Sequence, residues 1–291
     1  MVRFPALGTL VLVTLAALTL GGCSDDDPTA PCQCTRTWQE VALPLVAGES
    51  AVSSVDFSGP YGMALALVVP PGGSLSDPVH QFFRLQPDSS WVTDGSIDLR
   101  AGMVARDIAL DTTGRPVIAG HQIPGPPSVV CDLRGAAPVY MEQNTFGMLT
   151  VDGAGAYMAA GGRASGGGLW SSSGPGAWTF DDLPLTGTND SGFRDVDIRG
   201  DRAVACGYDD GADTLQVILT RTAGTDWSKV DLAGSGLDLN TLQAVAMTVE
   251  GAIFVGGIRA AGGPTAEAFL SLRSPAGGWT AIVLPDPVGL G

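Results

Sequence analysis

The sequence predicts an all-β protein assembled from repeated four-stranded antiparallel units, and three observations carry that reading. Helix formers are scarce: the 291 residues include one Lys (Lys229) and five Glu, unlike the Glu- and Lys-rich sequences of bundles and coiled coils. Short apolar segments recur between turns containing Gly, Asp and Pro, the pattern of strands joined by hairpins. The recurrence has a nearly constant period, which marks a repeat architecture. A hydrophobic fraction of 45% supplies a core, and the 41 Gly and 20 Pro stay below the share at which disorder is the default.

The chain opens with a segment outside the fold. Arg3 provides a short positive region, and Ala6 to Leu20 is apolar apart from Gly8 and three Thr. That run is too short to span a bilayer. Leu20-Gly21-Gly22-Cys23 follows and resembles a bacterial lipobox, so residues 1–22 read as a lipoprotein signal peptide with Cys23 as the acylated residue. More than one acyl chain gives stable anchoring, whereas a single chain holds marginally. Residues 23–37 read as the lipidated Cys and an acidic, Pro-containing linker. Ser24 after the Cys resembles an outer-membrane sorting signal, and Asp25-Asp26-Asp27 resembles the tether of surface lipoproteins or serves as a plain solvated linker. Membrane contact is expected through this anchor.

Residues 38–291 carry the repeats. First-strand segments have central apolar residues Val55, Ile108, Leu149, Val196 and Val245, spaced 53, 41, 47 and 49 apart. Second strands, rich in small apolar residues, run to a Gly at Gly120, Gly161, Gly207 and Gly256. The hairpin before each fourth strand aligns best: Gln86 to Trp91, Ser173 to Trp178, Thr222 to Trp227 and Ser274 to Trp279 share one spacing, and the second unit lacks the Trp. A bulky ring at a fixed turn position covers a sheet edge, so Trp91, Trp178, Trp227 and Trp279 are assigned structural roles, together with Trp38 at the head of Trp38-Gln-Glu-Val-Ala-Leu-Pro44.

Four-stranded units repeated about a centre are the pattern of a β-propeller. The units resemble degenerate BNR (Asp-box) repeats, similar to those of sialidase-type and photosystem II assembly-factor propellers, although Pro175, Gly224 and Ala276 stand near turns where the box has Asp. Five blades are favoured. The segment from Trp38 is a fourth strand without a preceding set of three, which leaves six as the alternative.

Net charge restricts function. Removal of Arg3 with the signal peptide takes the chain from −15 to −16, which argues against nucleic acid, whose phosphates need a basic footprint. No cofactor and no metal are expected. The chain has two His, and its close Cys pair, Cys32 and Cys34, has no second pair to complete a zinc site. Disulfide pairing among Cys32, Cys34, Cys131 and Cys206 stays open, with Cys206 read as a small core residue. Asp209, Asp210 and Asp213 read as a solvated acidic loop rather than a cation site.

The sialidase resemblance implies a glycoside hydrolase as the alternative function. Such an enzyme needs an arginine triad, a Tyr–Glu nucleophile and an acid, and the repeat map assigns no Tyr–Glu pair. One pattern points to binding. Arg106, Arg194 and Gln243 stand two residues before the central apolar residue of their first strands, while Arg163, Arg259 and His121 lie just past the second-strand Gly. Strand alternation puts both sets at one end of a propeller, where guanidiniums suit a carboxylate, sulfate or peptide C-terminus. Local pairing of Arg106 and Arg194 with the adjacent Asp107 and Asp195 is the competing reading. The sequence therefore favours a non-catalytic, lipid-anchored module binding a protein, peptide or glycan.

Overall fold

A computed structural model describes residues 43–45, 48–73, 78–123, 128–143, 150–153, 157–161, 168–181, 183–185, 192–210, 214–233, 235–237, 240–260 and 266–282. These residues form strands, turns and connecting segments without helix. They build five four-stranded antiparallel sheets, each a simple meander. The first is β1 (Glu49–Ser58), β2 (Tyr61–Val69), β3 (Val79–Leu85) and β4 (Trp91–Thr93). The second is β5 (Met103–Leu110), β6 (Pro116–Gln122), β7 (Ser128–Asp132) and β8 (Val139–Gln143). The third is β9 (Thr150–Gly153), β10 (Tyr157–Gly161), β11 (Gly168–Gly174) and β12 (Ala177–Phe180). The fourth is β13 (Gly192–Arg199), β14 (Arg202–Asp210), β15 (Thr214–Thr222) and β16 (Ser228–Lys229). The fifth is β17 (Asn240–Met247), β18 (Ile253–Ala260), β19 (Ala266–Arg273) and β20 (Trp279–Ile282). First strands of successive sheets pack side by side, β1 on β5, β5 on β9, β9 on β13 and β13 on β17, which makes the sheets the blades of a β-propeller. The segment 38–42, expected as an additional fourth strand, lies outside the described residues, as do Cys23, Cys32 and Cys34.

The core is a set of layers between blades rather than one central mass. Met63, Leu65 and Phe82 of the first blade meet Met103, Ile108, Ile118 and Val129 of the second. Val117 and Val130 meet Val151 and Trp170, Leu169 meets Phe193, Val196 and Leu219, and Val204 and Ile218 meet Leu242, Val245 and Ile253. Small residues such as Ala64, Ala119, Ala203 and Ala205 fill the second strands, near the axis where blades converge. Phe82, Phe83 and Trp170 stand on third strands, where blades diverge. This taper accounts for the second-strand composition that marked the repeat.

A Leu-x-Leu pattern after the fourth strand wedges into the next layer. Ile97 and Leu99, Leu183 and Leu185, and Val230 and Leu232 flank successive layers, and Leu43 and Leu45 pack in the same manner against Phe83 and Trp91. The backbone repeats as well: Leu45 N–H donates to Leu43 C=O and Leu185 N–H to Leu183 C=O, both at 2.8 Å.

Side-chain carboxylates clip the first blade to the second, the second to the third and the fourth to the fifth. The first strand of a blade has an edge facing the axis with no strand to pair it, so its N–H groups need other acceptors. Asp56 accepts from Leu110 N–H at 2.6 Å, Asp107 from Val151 N–H at 2.9 Å, Asp195 from Val245 N–H at 2.8 Å and Asp197 from Met247 N–H at 2.5 Å. The hairpin Trp residues reach backward. Trp178 Nε1 donates to Asp132 of the second blade at 3.2 Å, Trp227 Nε1 to Asp181 beyond the third at 3.0 Å, and Trp279 Nε1 to the Asp231 carbonyl at 3.2 Å. Trp91 is buried and meets Phe57 edge-on.

Candidate functional site

The candidate site begins at an irregularity repeated in four first strands. The ladder register slips between Val52 and Ser54, Ala105 and Asp107, Phe193 and Asp195, and Leu242 and Ala244. Ser53, Arg106, Arg194 and Gln243 are therefore the extra residues of β-bulges, which re-aim a side chain out of the ladder. The second-strand Gly has its reason here. A Cβ at Gly120, Gly207 or Gly257 would collide with the carbonyl oxygen of Val104, Gly192 or Thr241, the strand that bends inward at the bulge. In the fifth unit the matching residue is Gly257, one place beyond the Gly256 that the sequence pattern suggested.

At the second blade, Arg106 sits within the field of both imidazoles. Burial first, and then the Arg106 guanidinium, hold the His80 and His121 pKa values below the ordinary 6.5. His80, at the start of β3, accepts a hydrogen bond from Ala105 N–H through Nε2 at 3.0 Å, which fixes the imidazole proton on Nδ1. A pocket of about 260 Å³ opens beside it, lined by His80, Leu99, Arg100, Met103, Val104 and Ile123 among others. Arg100 is committed to structure, donating through Nε to Gln122 at 3.0 Å and pairing with Glu142, which stands within β8.

At the fourth blade, Arg194 lies over the Tyr208 ring at 5.8 Å and donates through Nη1 to Gln243 Oε1 at 3.3 Å. Tyr208 occupies the place of His121, one residue past the Gly. Gln216 occupies the place of His80 and repeats its role, accepting from Leu242 N–H at 3.1 Å. The Nε atoms of Arg106 and Arg194 are buried and have no hydrogen-bond partner. Among the described residues neither arginine enters an ion pair, and Asp107 and Asp195 place carboxylate oxygens on the N–H groups of the next blade.

Of the six expected binding residues, the structure puts His121 within the electrostatic reach of Arg106 and joins Arg194 with Gln243 by a hydrogen bond. No contact links the two groups among the described residues. Arg163 and the Arg259 side chain lie outside them. His80 was missed by sequence reasoning. Its signal was the start of a third strand, which strand alternation places at the same end. Asp209, expected in a solvated acidic loop, instead lies buried near the end of β14 and pairs with Lys229 at 2.8 Å. Cys131 and Cys206 are free and buried, and burial raises the Cys131 thiol to about 11.

No family model matches the chain, and no curated protein sequence matches it. Solved structures do match. One is described as YCF48 bound to D1 peptide, 11% identical, covering 82% of this chain and 71% of that one with a TM-score of 0.44. Another is the β-propeller domain of the Trilobed protease from Pyrococcus furiosus, 10% identical, covering 84% and 73% with a TM-score of 0.47. A third is a xylan β-1,4-xylosidase from Bacillus halodurans, 11% identical, covering 85% and 60% with a TM-score of 0.37. The likeness is one of fold and assigns no residue.

Proposed function

We propose that this protein is a non-catalytic binding propeller, held to the bacterial outer membrane through acylated Cys23, that takes a carboxylate of a protein or peptide ligand on its arginine-bearing end. The observation that carries the reading is the state of Arg106 and Arg194. Both stand on bulges at one end of the blades, with a buried Nε lacking a partner, in a chain of net charge −15. An unpaired buried donor is costly, and a bound oxyanion satisfies it by charge-assisted bonds. The inner-strand carboxylates Asp56, Asp107, Asp195 and Asp197 serve backbone N–H groups of neighbouring blades.

The test uses peptides eluted from envelope extracts by the full-length protein, resynthesised with a free or an amidated C-terminus. Joint replacement Arg106→Lys and Arg194→Lys keeps both charges but removes the planar fork. Binding of the free-acid peptide is expected to fall about tenfold or more, with the melting temperature nearly unchanged. Lost stability with unaltered binding would assign the two arginines to the scaffold. The anchor is tested separately: Cys23→Ala should abolish lipid labelling and release the chain from membranes, and continued membrane partitioning would place the anchor elsewhere.

A further inference from the structure

The opposite end of the propeller, formed by the turns between first and second strands and between third and fourth strands, carries its own cationic pocket. It lies at the seam of the fourth and fifth blades, has a volume of about 230 Å³, and is lined by Arg202, Arg221 and Arg273 with the hydroxyl residues Thr222, Thr225 and Ser228. The repeat shows what is unusual about it. Arg221 pairs across the β14–β15 ladder with Ala203, and Arg273 pairs across β18–β19 with Ile253, the same place one blade later. Arg221 is neutralised by Asp181 at 2.8 Å and lies over the Trp227 ring at 4.9 Å.

Asp181 and Val230 are also counterparts. Asp181 N–H donates to the Leu169 carbonyl and Val230 N–H to the Ile218 carbonyl, each three residues past its hairpin Trp. The acid that serves Arg221 is thus a valine where Arg273 needs it. The Arg273 Nε is buried without a hydrogen-bond partner, and among the described residues neither Arg202 nor Arg273 enters an ion pair. Arg202 extends its guanidinium over Gly251.

We propose that this seam binds a tetrahedral oxyanion of the phosphate type, held between Arg202 and Arg273 with Arg221 on its third side. Three guanidiniums arrive from three strands, β14, β15 and β19, and each presents a fork of donors. Together with Ser228, whose hydroxyl is held only loosely at 3.3 Å by the Thr220 carbonyl, they offer more donors than the roughly four lone-pair sites of a carboxylate accept. The ligand completes at the fourth seam what Asp181 completes at the third. The site is independent of the carboxylate reading above, because it uses none of the same residues and lies at the other end of the strands.

The test is calorimetric titration of inorganic phosphate, phenyl phosphate and acetate into the full-length chain at fixed ionic strength. Phosphate should bind and acetate should not. Phenyl phosphate binding as well as phosphate would assign the group to a monoester ligand, and its exclusion would assign the free ion. Val230→Asp supplies the missing acid, so phosphate affinity should fall about tenfold or more, while the melting temperature holds or rises. Arg202→Gln, at an exposed position, should weaken phosphate similarly if the Val230 variant folds poorly. The Arg106→Lys, Arg194→Lys protein should bind phosphate as the parent does. No phosphate binding at millimolar concentration, equal binding by parent and variants, or equal affinity for acetate would overturn the proposal.

Discussion

At the scale of the residue, His80 and Gln216 show one task done by two chemistries. Each accepts an N–H from the residue preceding a bulge, but the imidazole can titrate. Burial and Arg106 depress the His80 pKa, so the unfolded chain takes up a proton before the folded one does. The stability His80 contributes is therefore whole above pH 6.5 and is lost as pH falls through the lower folded value. His121, depressed for the same reasons, adds to the slope. His80→Gln should keep the acceptor and flatten the acid-side loss, as measured by denaturant midpoints between pH 7 and 5. A variant losing stability as steeply as the parent would exclude His80 as the source. Asp132 is a second case. It is buried with Arg134, bonds it at 2.7 Å, and also receives Gly176 N–H and Trp178 Nε1. Burial alone would raise its pKa, yet these donors outweigh burial and hold it below the usual value. Asp132→Asn leaves the buried guanidinium without its counter-charge and should cost about 3–5 kcal/mol in chemical denaturation.

At the scale of the element, bulge and glycine form one device. The first strand bends inward to lift Arg106 or Arg194 from the ladder, and the facing second strand must then lack a Cβ. Gly207→Ala should force that strand outward and destabilise the domain by about 1–3 kcal/mol or more, with Arg194 losing its contact to Gln243. A crystal structure of the variant with an unshifted strand would refute the coupling. This device explains what the sequence disclosed and what it hid. The Gly at the end of four of the five second strands was visible as a pattern, and so was the alignment of Arg106 with Arg194. The bulge itself was not, because a slip in register leaves alternation intact on both sides of it. For the same reason Asp107 and Asp195 read as partners for the arginines beside them, when the slip sends their carboxylates to the next blade. The Val230 substitution for an acid was equally hidden, since its meaning depends on contacts between blades that one strand's pattern does not contain.

At the scale of the whole molecule, three seams are clipped alike, first blade to second, second to third and fourth to fifth, and the arrangement has a direction. Every carboxylate clip runs from a side chain of the earlier blade to the backbone of the later one. The fifth blade carries Ala244 and Ala246 where the fourth has Asp195 and Asp197, so it holds out no such acceptors. Val55, the counterpart of the buried Ile108, Val196 and Val245, is correspondingly 37% exposed. Asp197→Ala should leave Met247 N–H without an acceptor in a buried setting, at a cost of about 1–3 kcal/mol. Hydrogen exchange should then quicken in β17 while β1 stays as in the parent. Equal quickening in both would mean that the blades open together.

That direction bears on how the chain is made. Synthesis delivers the amino-terminal blades first, and the first, second and fourth blades, once finished, already display the carboxylates that clip their successors. A nascent chain halted after any blade strands none of the described N–H groups held by these clips, because each acceptor precedes its donor in the chain. The reverse cut, removing the first blade, takes away the Asp56 carboxylate that receives the Leu110 amide. Carboxyl-terminal truncations at blade boundaries should therefore stay soluble and protease-resistant on ribosome-stalled chains, whereas a chain starting at the second blade should not. The propeller is in this sense written to be read in the order in which it is translated.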